Sequence, residues 1–166
     1  KYQNNVLERF TGTSASTNQY TIDIPFDGAL SYYNTNSNGT TSSIVTGSSG
    51  SGVRELNLSN AGTYTFKFID NRTTSAITTT SNDGRIEVEP FTLIIKGPNV
   101  TIDGENQKFK LSSPHNGIIQ NGTESKDGNG KNNCHIKNID IEISGISSNG
   151  GGGICQYMFG RGATNN

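Results

Sequence analysis

The sequence predicts an all-β fold: a right-handed parallel β-helix in the C-terminal half, preceded by a β-rich N-terminal portion. Three observations carry that expectation. Gly, Asn, Ser and Thr make up 79 of the 166 residues, whereas Leu occurs 6 times and Ala 5, so the residues that fill helices are scarce. β-Branched Ile and Thr occur 17 and 19 times, and they recur in alternating segments. Eleven of the 17 Ile lie beyond Phe91, in runs of three to six residues bounded by Gly, Asn or Pro. A chain of this length buries roughly two-thirds of its unfolded surface, enough for one substantial core.

Along the chain, Lys1 to Gln19 is polar and reads as an arm. From Tyr20 the pattern alternates: Ile22, Ile24 and Phe26 point one way, and Asp27-Gly28 supplies a turn. Ala29 to Tyr33 is then the hairpin partner of that strand. Asn34 to Gly52 is rich in Ser, Thr, Asn and Gly and reads as a long loop or weak strand. Leu56 and Leu58 alternate, Asn60-Ala61-Gly62 turns the chain, and Tyr64, Phe66 and Phe68 place three aromatics on one face of a strand. Ile77 lies between Thr-rich runs, Asn82-Asp83-Gly84 is a turn signal, and Ile86 and Val88 begin a strand that Pro90 bends or ends.

Beyond Phe91 the segments Leu93 to Lys96, Val100 to Asp103, Phe109 to Ser112, Ile118 to Gln120, His135 to Lys137 and Ile139 to Ser144 are joined by connectors too short for helices. Bends therefore replace the crossovers of strand-helix-strand units. If each segment is one side of a coil, Ile94 falls above Ile118 at an offset of 24. Ile154 follows 36 residues later, with a polar insert at Glu124 to Lys131. A repeat in the low twenties fits a strand-built solenoid with an inward apolar ladder. The expected organisation is a polar arm over 1–19, a β-rich cap or small domain over 20–85, and the first coils of a β-helix over 86–166. A start at Lys1 without Met, and a glycine run (Gly150 to Gly153) close to the end, read as part of a longer polypeptide.

The segments IIKGPNVTIDGENQKFKLS (94–112), NGIIQNG (116–122), CHIKNIDIEISG (134–145) and GGGIC (151–155) resemble the pectin-lyase-like superfamily of right-handed β-helices, whose tight bends often hold Asn. Within it, NGIIQNGT (116–123) and GGICQYMFG (152–160) are similar to segments of β-helical surface proteins of large DNA viruses of protists. The resemblance implies a structural or virion-surface role and transfers no functional residue.

With 13 basic and 14 acidic side chains and a net charge of -1, the chain lacks the cation excess that phosphate backbones select, so nucleic acid is not an expected partner. No apolar stretch reaches the ~20 residues of a bilayer crossing, so membrane insertion is not expected either. Two cysteines, Cys134 and Cys155, are too few for a disulfide scaffold and lack the spacing of a zinc site. Their 21-residue separation is near one coil, so stacked free thiols are expected.

A polysaccharide lyase needs carboxylates to hold calcium against a uronate and a base to remove a proton. The candidates for carbohydrate or calcium are Asp103, Asp140 and Glu142, with Lys137 and Arg161 as cations. Asp140 and Glu142 leave one face of a strand and can share a cation, but their alternation with Ile139, Ile141 and Ile143 is equally that of any half-solvated strand. Asp103 precedes Gly104 and suits a turn. The motifs of β-helical polygalacturonases are absent, and His115, His135 and Cys134 have no companions in sequence. Tyr32, Tyr33, Tyr157 and Phe159 are candidate stacking platforms for glycans, although aromatics on strands more often fill a core. Glycosylation sequons lie at Asn38, Asn57, Asn71, Asn99 and Asn121.

The resulting expectation is a non-enzymatic structural or surface protein, a virion-associated or extracellular stalk or fibre component. It has no cofactor and no metal, and it self-associates or binds other structural proteins. The alternatives are a lyase or hydrolase acting on acidic glycans, and a carbohydrate-binding attachment module.

Overall fold

The computed structural model describes residues 18–35, 54–72, 84–112, 117–123, 128–145, 152–157 and 159–166. The described residues form an all-β protein of twelve strands with no helix: β1 (Gln19–Pro25), β2 (Ser31–Asn34), β3 (Arg54–Leu58), β4 (Gly62–Ile69), β5 (Ile86–Val88), β6 (Phe91–Ile95), β7 (Val100–Asp103), β8 (Lys108–Leu111), β9 (Ile119–Gln120), β10 (His135–Lys137), β11 (Asp140–Ile143) and β12 (Cys155–Gln156). Residues 1–17 of the expected arm, 36–52 of the expected loop, Ile77 and His115 lie outside the described residues, while the last residue of that arm, Gln19, and the first of that loop, Asn34, belong to β1 and β2.

Alternation decides most of these strands. In β1 the burial pattern strictly alternates, with Tyr20, Ile22 and Ile24 inside. In β4, Tyr64, Phe66 and Phe68 point inward while Thr63, Thr65 and Lys67 point out. The expected hairpin forms, with β1 antiparallel to β2 and Ile22 opposite Tyr32.

The strands assemble into three sheets: a five-stranded one in the order β10-β7-β4-β1-β2, a three-stranded one in the order β11-β8-β5, and a four-stranded one in the order β12-β9-β6-β3. Apart from β1–β2, every pairing is parallel. From β3 onward the chain visits the four-, five- and three-stranded sheets in fixed rotation, and each strand from β6 on pairs with the one three places earlier. Two of the sheets run across residue 85, because β3 pairs with β6 and β4 with β7.

Inward side chains stack in register into one core. Tyr64 lies beside Ile102, which lies beside Ile136; Leu56, Leu93 and Ile119 form a second row, and Ile86, Phe109 and Ile141 a third. At its centre Phe66, Phe68, Phe91 and Phe109 pack with ring centroids 4.9–6.5 Å apart. Near one end Tyr20, Tyr32 and Tyr64 form a second aromatic group at 4.7–5.6 Å. Fully burying one such side chain contributes about 1.5–3 kcal/mol, so rows of this kind dominate stability.

Two expectations about spacing are corrected. The offset between paired strands is not constant in the low twenties: it runs from 23 residues (Val88 and Leu111) to 44 (Tyr20 and Tyr64), because connectors of unequal length separate the strands. Ile94 pairs with Gln120 rather than with Ile118, a shift of two residues. The strands next to these isoleucines, β6, β9 and β12, are nonetheless consecutive neighbours of one parallel sheet. Ile118 and Ile154 occupy equivalent corners, accepting backbone bonds from Leu93 (2.7 Å) and Ile119 (3.0 Å).

Tight corners account for part of the asparagine content. Among the described residues, eight non-glycine residues have positive φ, and six of them are Asn: 99, 106, 129, 133, 138 and 165. Asn is the non-glycine residue best suited to that conformation. Asn99 and Asn133 sit one above the other, the Asn133 Nδ2 donating to Asn99 Oδ1 at 2.7 Å.

Candidate functional site

The three carboxylates singled out in the sequence occupy two sheets. Asp140 and Glu142 leave the outward face of β11, where the register sets Lys108 beside Asp140 and Lys110 beside Glu142. They share a cation, and it is Arg85: its Nη1 lies 2.7 Å from Asp140 Oδ1 and its Nε 3.6 Å from Glu142 Oε2. Lys110 Nζ adds a contact of 2.7 Å to Glu142 Oε1. Arg85 also donates to the backbone carbonyls of Asp140 (3.3 Å) and Phe109 (3.5 Å), which fastens it across the sheet. The two carboxylates retain 37% and 42% of their side-chain exposure. Ion pairs this exposed contribute about 0–1 kcal/mol each.

Asp103 stands on the five-stranded sheet at the end of β7. Its Oδ1 accepts from the Asn138 amide (2.9 Å) and the Glu105 N–H (3.0 Å), and its Oδ2 lies 3.1 Å from Lys137 Nζ. Burial alone would raise its pKa; the bonds from Asn138, Glu105 and Lys137, with the charge of Lys137, outweigh it, and the net shift is downward. The turn role read from Asp103-Gly104 is therefore present, joined by a lysine from the next strand of the sheet.

Among the described residues, no group of three or more His, Cys, Asp or Glu is placed to hold a metal ion. His135 is exposed on β10 with Nε2 3.1 Å from Asn133 Oδ1. Cys134 and Cys155 are both free and do not stack, which corrects the spacing argument. Cys134 is fully buried just before β10 of the five-stranded sheet, with Sγ 3.5 Å from the Asn132 carbonyl, whereas Cys155 is half-buried on β12 of the four-stranded sheet. Burial pushes both thiols above their ordinary pKa, so neither is an activated nucleophile.

Tyr32 is not a stacking platform: its position opposite Ile22 turns it inward, at 0% exposure. Tyr33 and Tyr157 are half-buried, and Phe159 packs against the core. Of the sequon asparagines, Asn71 and Asn99 are exposed and Asn57 is half-buried on β3, while Asn38 lies outside the described residues. Asn121 is 1% exposed, and its side chain is bonded at both ends to the Lys131 backbone (2.7 and 3.1 Å), so the folded chain does not offer it for modification.

The sequence reading overlooked Arg54. This residue is 3% exposed, and its guanidinium donates to four backbone carbonyls: Pro25 (2.8 Å), Gly28 (3.1 Å), Glu89 (2.7 Å) and Pro90 (3.3 Å). It thereby pins the β1–β2 turn to the β5–β6 corner. The signal was available: Arg54 shares its parity with Leu56 and Leu58, so alternation already placed it inside.

Comparison with known protein families, curated proteins and solved structures gives no match.

Proposed function

We propose that this chain is a right-handed parallel β-helix serving as a non-enzymatic structural protein, a stalk or fibre component at a virion surface or outside the cell. The supporting observation is the fixed rotation of β3 to β12 through three parallel sheets. Such a path winds the chain into coils that seal one another, which makes a stiff, protease-resistant rod. Parallel crossover connections are right-handed in nearly all proteins, and this supplies the hand. The polar exterior suits the same role, because Asp140 and Glu142 are neutralised by Arg85 and Lys110, and Asp103 by Lys137. Carboxylates engaged in this way do not make a calcium-dependent uronate site, so a lyase is the weaker reading.

Immunoelectron microscopy should place the chain in thin projections from a particle or cell surface, and its confinement to a flat surface layer would overturn the stalk. Antibodies raised against the chain should label particle surfaces or the cell exterior, while labelling confined to the cell interior would count against the location. Incubation with polyuronates and calcium should leave ultraviolet absorbance flat. Release of unsaturated products would favour the lyase instead.

A further inference from the structure

The fold gives the amides of the described sequon asparagines different environments. Asn121 is 1% exposed, with both ends of its side chain bonded to the Lys131 backbone. Asn57 is half-buried on β3, where the register sets it beside Ile94. Asn71 is exposed, but its Nδ2 donates twice to Asp27, to the backbone carbonyl (3.2 Å) and to Oδ1 (2.8 Å), while its Oδ1 accepts from the Asp27 N–H (3.4 Å). A side-chain amide has two N–H donors and keeps one when it carries a sugar. A glycan at Asn71 therefore competes with the bonds that tie it to Asp27.

Asn99 combines what the others lack. It occupies the corner that leads into β7, exposed together with Pro98 and with φ at 59°. Its backbone is fastened on both sides, because its N–H donates to the Asn132 carbonyl (3.1 Å) and its carbonyl accepts from the Gly62 N–H (3.0 Å). Its exposure is thus that of a fixed corner between two neighbouring ones. The side chain is oriented as well: Oδ1 accepts from Asn133 Nδ2 at 2.7 Å, whereas Nδ2 has no partner among the described residues. In a planar amide, an oxygen held by one neighbour turns the nitrogen away from it. Thr101, which completes the Asn-Val-Thr sequon, points outward on β7 beside Thr63, while Val100 between them is fully buried. An oligosaccharide is bulky and belongs on the surface, and at this amide it displaces no hydrogen bond.

We propose that Asn99 is an N-glycan attachment site, to which an oligosaccharide is transferred from a polyprenyl diphosphate carrier. A bond forms between Nδ2 and the anomeric carbon as the bond from that carbon to the diphosphate oxygen breaks. The diphosphate leaves with the electron pair, one amide proton passes to a base of the transferring enzyme, and nothing is oxidised or reduced. Transfer precedes folding, and the fold then decides which modified chains close: Asn99 carries the sugar in its native place, whereas Asn121 cannot. The inference rests on the extracellular reading given above, because this transfer belongs to the secretory route, and it deepens that reading by naming what clothes one corner of the stalk.

The test is secretion of the chain from cultured animal cells behind a cleavable signal peptide. Peptides of the folded product are compared by mass spectrometry before and after enzymatic removal of N-glycans in heavy-oxygen water, which leaves a heavy Asp wherever a glycan stood. A glycan on Asn99 in most secreted molecules is expected, with Asn121 bare. Thr101→Val removes the sequon but keeps Asn99 at its corner and a β-branched residue in β7. It should abolish the Asn99 glycan at an unchanged circular dichroism spectrum, and Thr101→Ser, which retains the hydroxyl, should keep it. A bare Asn99 overturns the proposal, whether the chain is secreted or held in the cells. A glycan on Asn121 of the folded product, or one on Asn99 that survives Thr101→Val, overturns it too. Antibody labelling of the natural material reports location independently: surface labelling with a bare Asn99 removes the glycan alone, and labelling confined to the cell interior removes the location together with the occasion for attachment.

Discussion

Arg54 is the residue on which the junction of the β1–β2 turn with the β5–β6 corner depends. Four carbonyls from two separate corners point at one guanidinium, and removing it leaves them buried without donors. Arg54→Met should lower unfolding stability by about 3 kcal/mol, measured by urea titration. Arg54→Lys should recover little, since one ammonium does not span a forked set of acceptors.

Two aspartates on the outer face of the five-stranded sheet should respond oppositely to pH. Asp103 has a lowered pKa in the folded state. Its stabilising effect is therefore complete above the unfolded value near 3.9 and is lost as pH falls through the folded value. Asp103→Asn should reduce stability at pH 7 and flatten the decline below about pH 4. Asp23 is the reverse: burial raises its pKa against the opposing charge of Lys67, and its Oδ1 is buried without a hydrogen-bond partner. Its contribution is most favourable below the unfolded value and declines as pH rises through the folded one. Asp23→Asn should accordingly stabilise the protein at pH 7, with the gain disappearing below about pH 4 in the same titration.

At the scale of elements, the corners carry the strictest requirements. Gly117 has φ +110°, and a Cβ there would lie 2.5 Å from the Gln156 nitrogen and 2.6 Å from the Cys155 carbonyl carbon. Gly117→Ala should therefore cost on the order of 3 kcal/mol and loosen the β9–β12 pairing. Gly28 has φ +92° with nothing within 4 Å, so Gly28→Ala should cost only about 1 kcal/mol. Comparing the two denaturation midpoints separates backbone strain from collision with a neighbouring strand.

Elements were legible wherever apolar and polar residues alternate, as in β1, β3 and β4. Register was not, and the two-residue error at Ile94 shows why. Phe91-Thr92-Leu93-Ile94-Ile95 is apolar at nearly every position, and only Ile94 fails to be buried. Ile118 and Ile119 are both at 0% exposure. In runs of this kind a period of two has no visible phase, and unequal connectors removed the second clue. The candidate site was legible as residue types rather than as partners. Alternation placed Asp140 and Glu142 on one face, but Arg85 sits 55 residues before Asp140 and nothing local links them.

For the whole molecule, the parallel sheets hold Cys134 and Cys155 apart, and thiol chemistry can read that separation. Non-reducing electrophoresis and thiol titration in denaturant should find two free thiols. In native buffer Cys155 should react first, and Cys134 only at the rate of unfolding, because it is buried against the corner before β10. Equal native rates would mean that the two thiols share one environment.

Pairings of unequal length also give the molecule an order of rupture under load. Tension applied at the C-terminal side loads residues 159–166 first, which are bonded to the backbone of Asn121, Gly130 and Asn133, and then β12, which is held to β9 across only two residue pairs. Tension from the N-terminal side loads β1 against β4 across seven pairs at once. Because tension is equal along a chain pulled by its two termini, the C-terminal segments should peel away first and the β1–β4 pairing last, so unfolding under load begins on one side of the molecule.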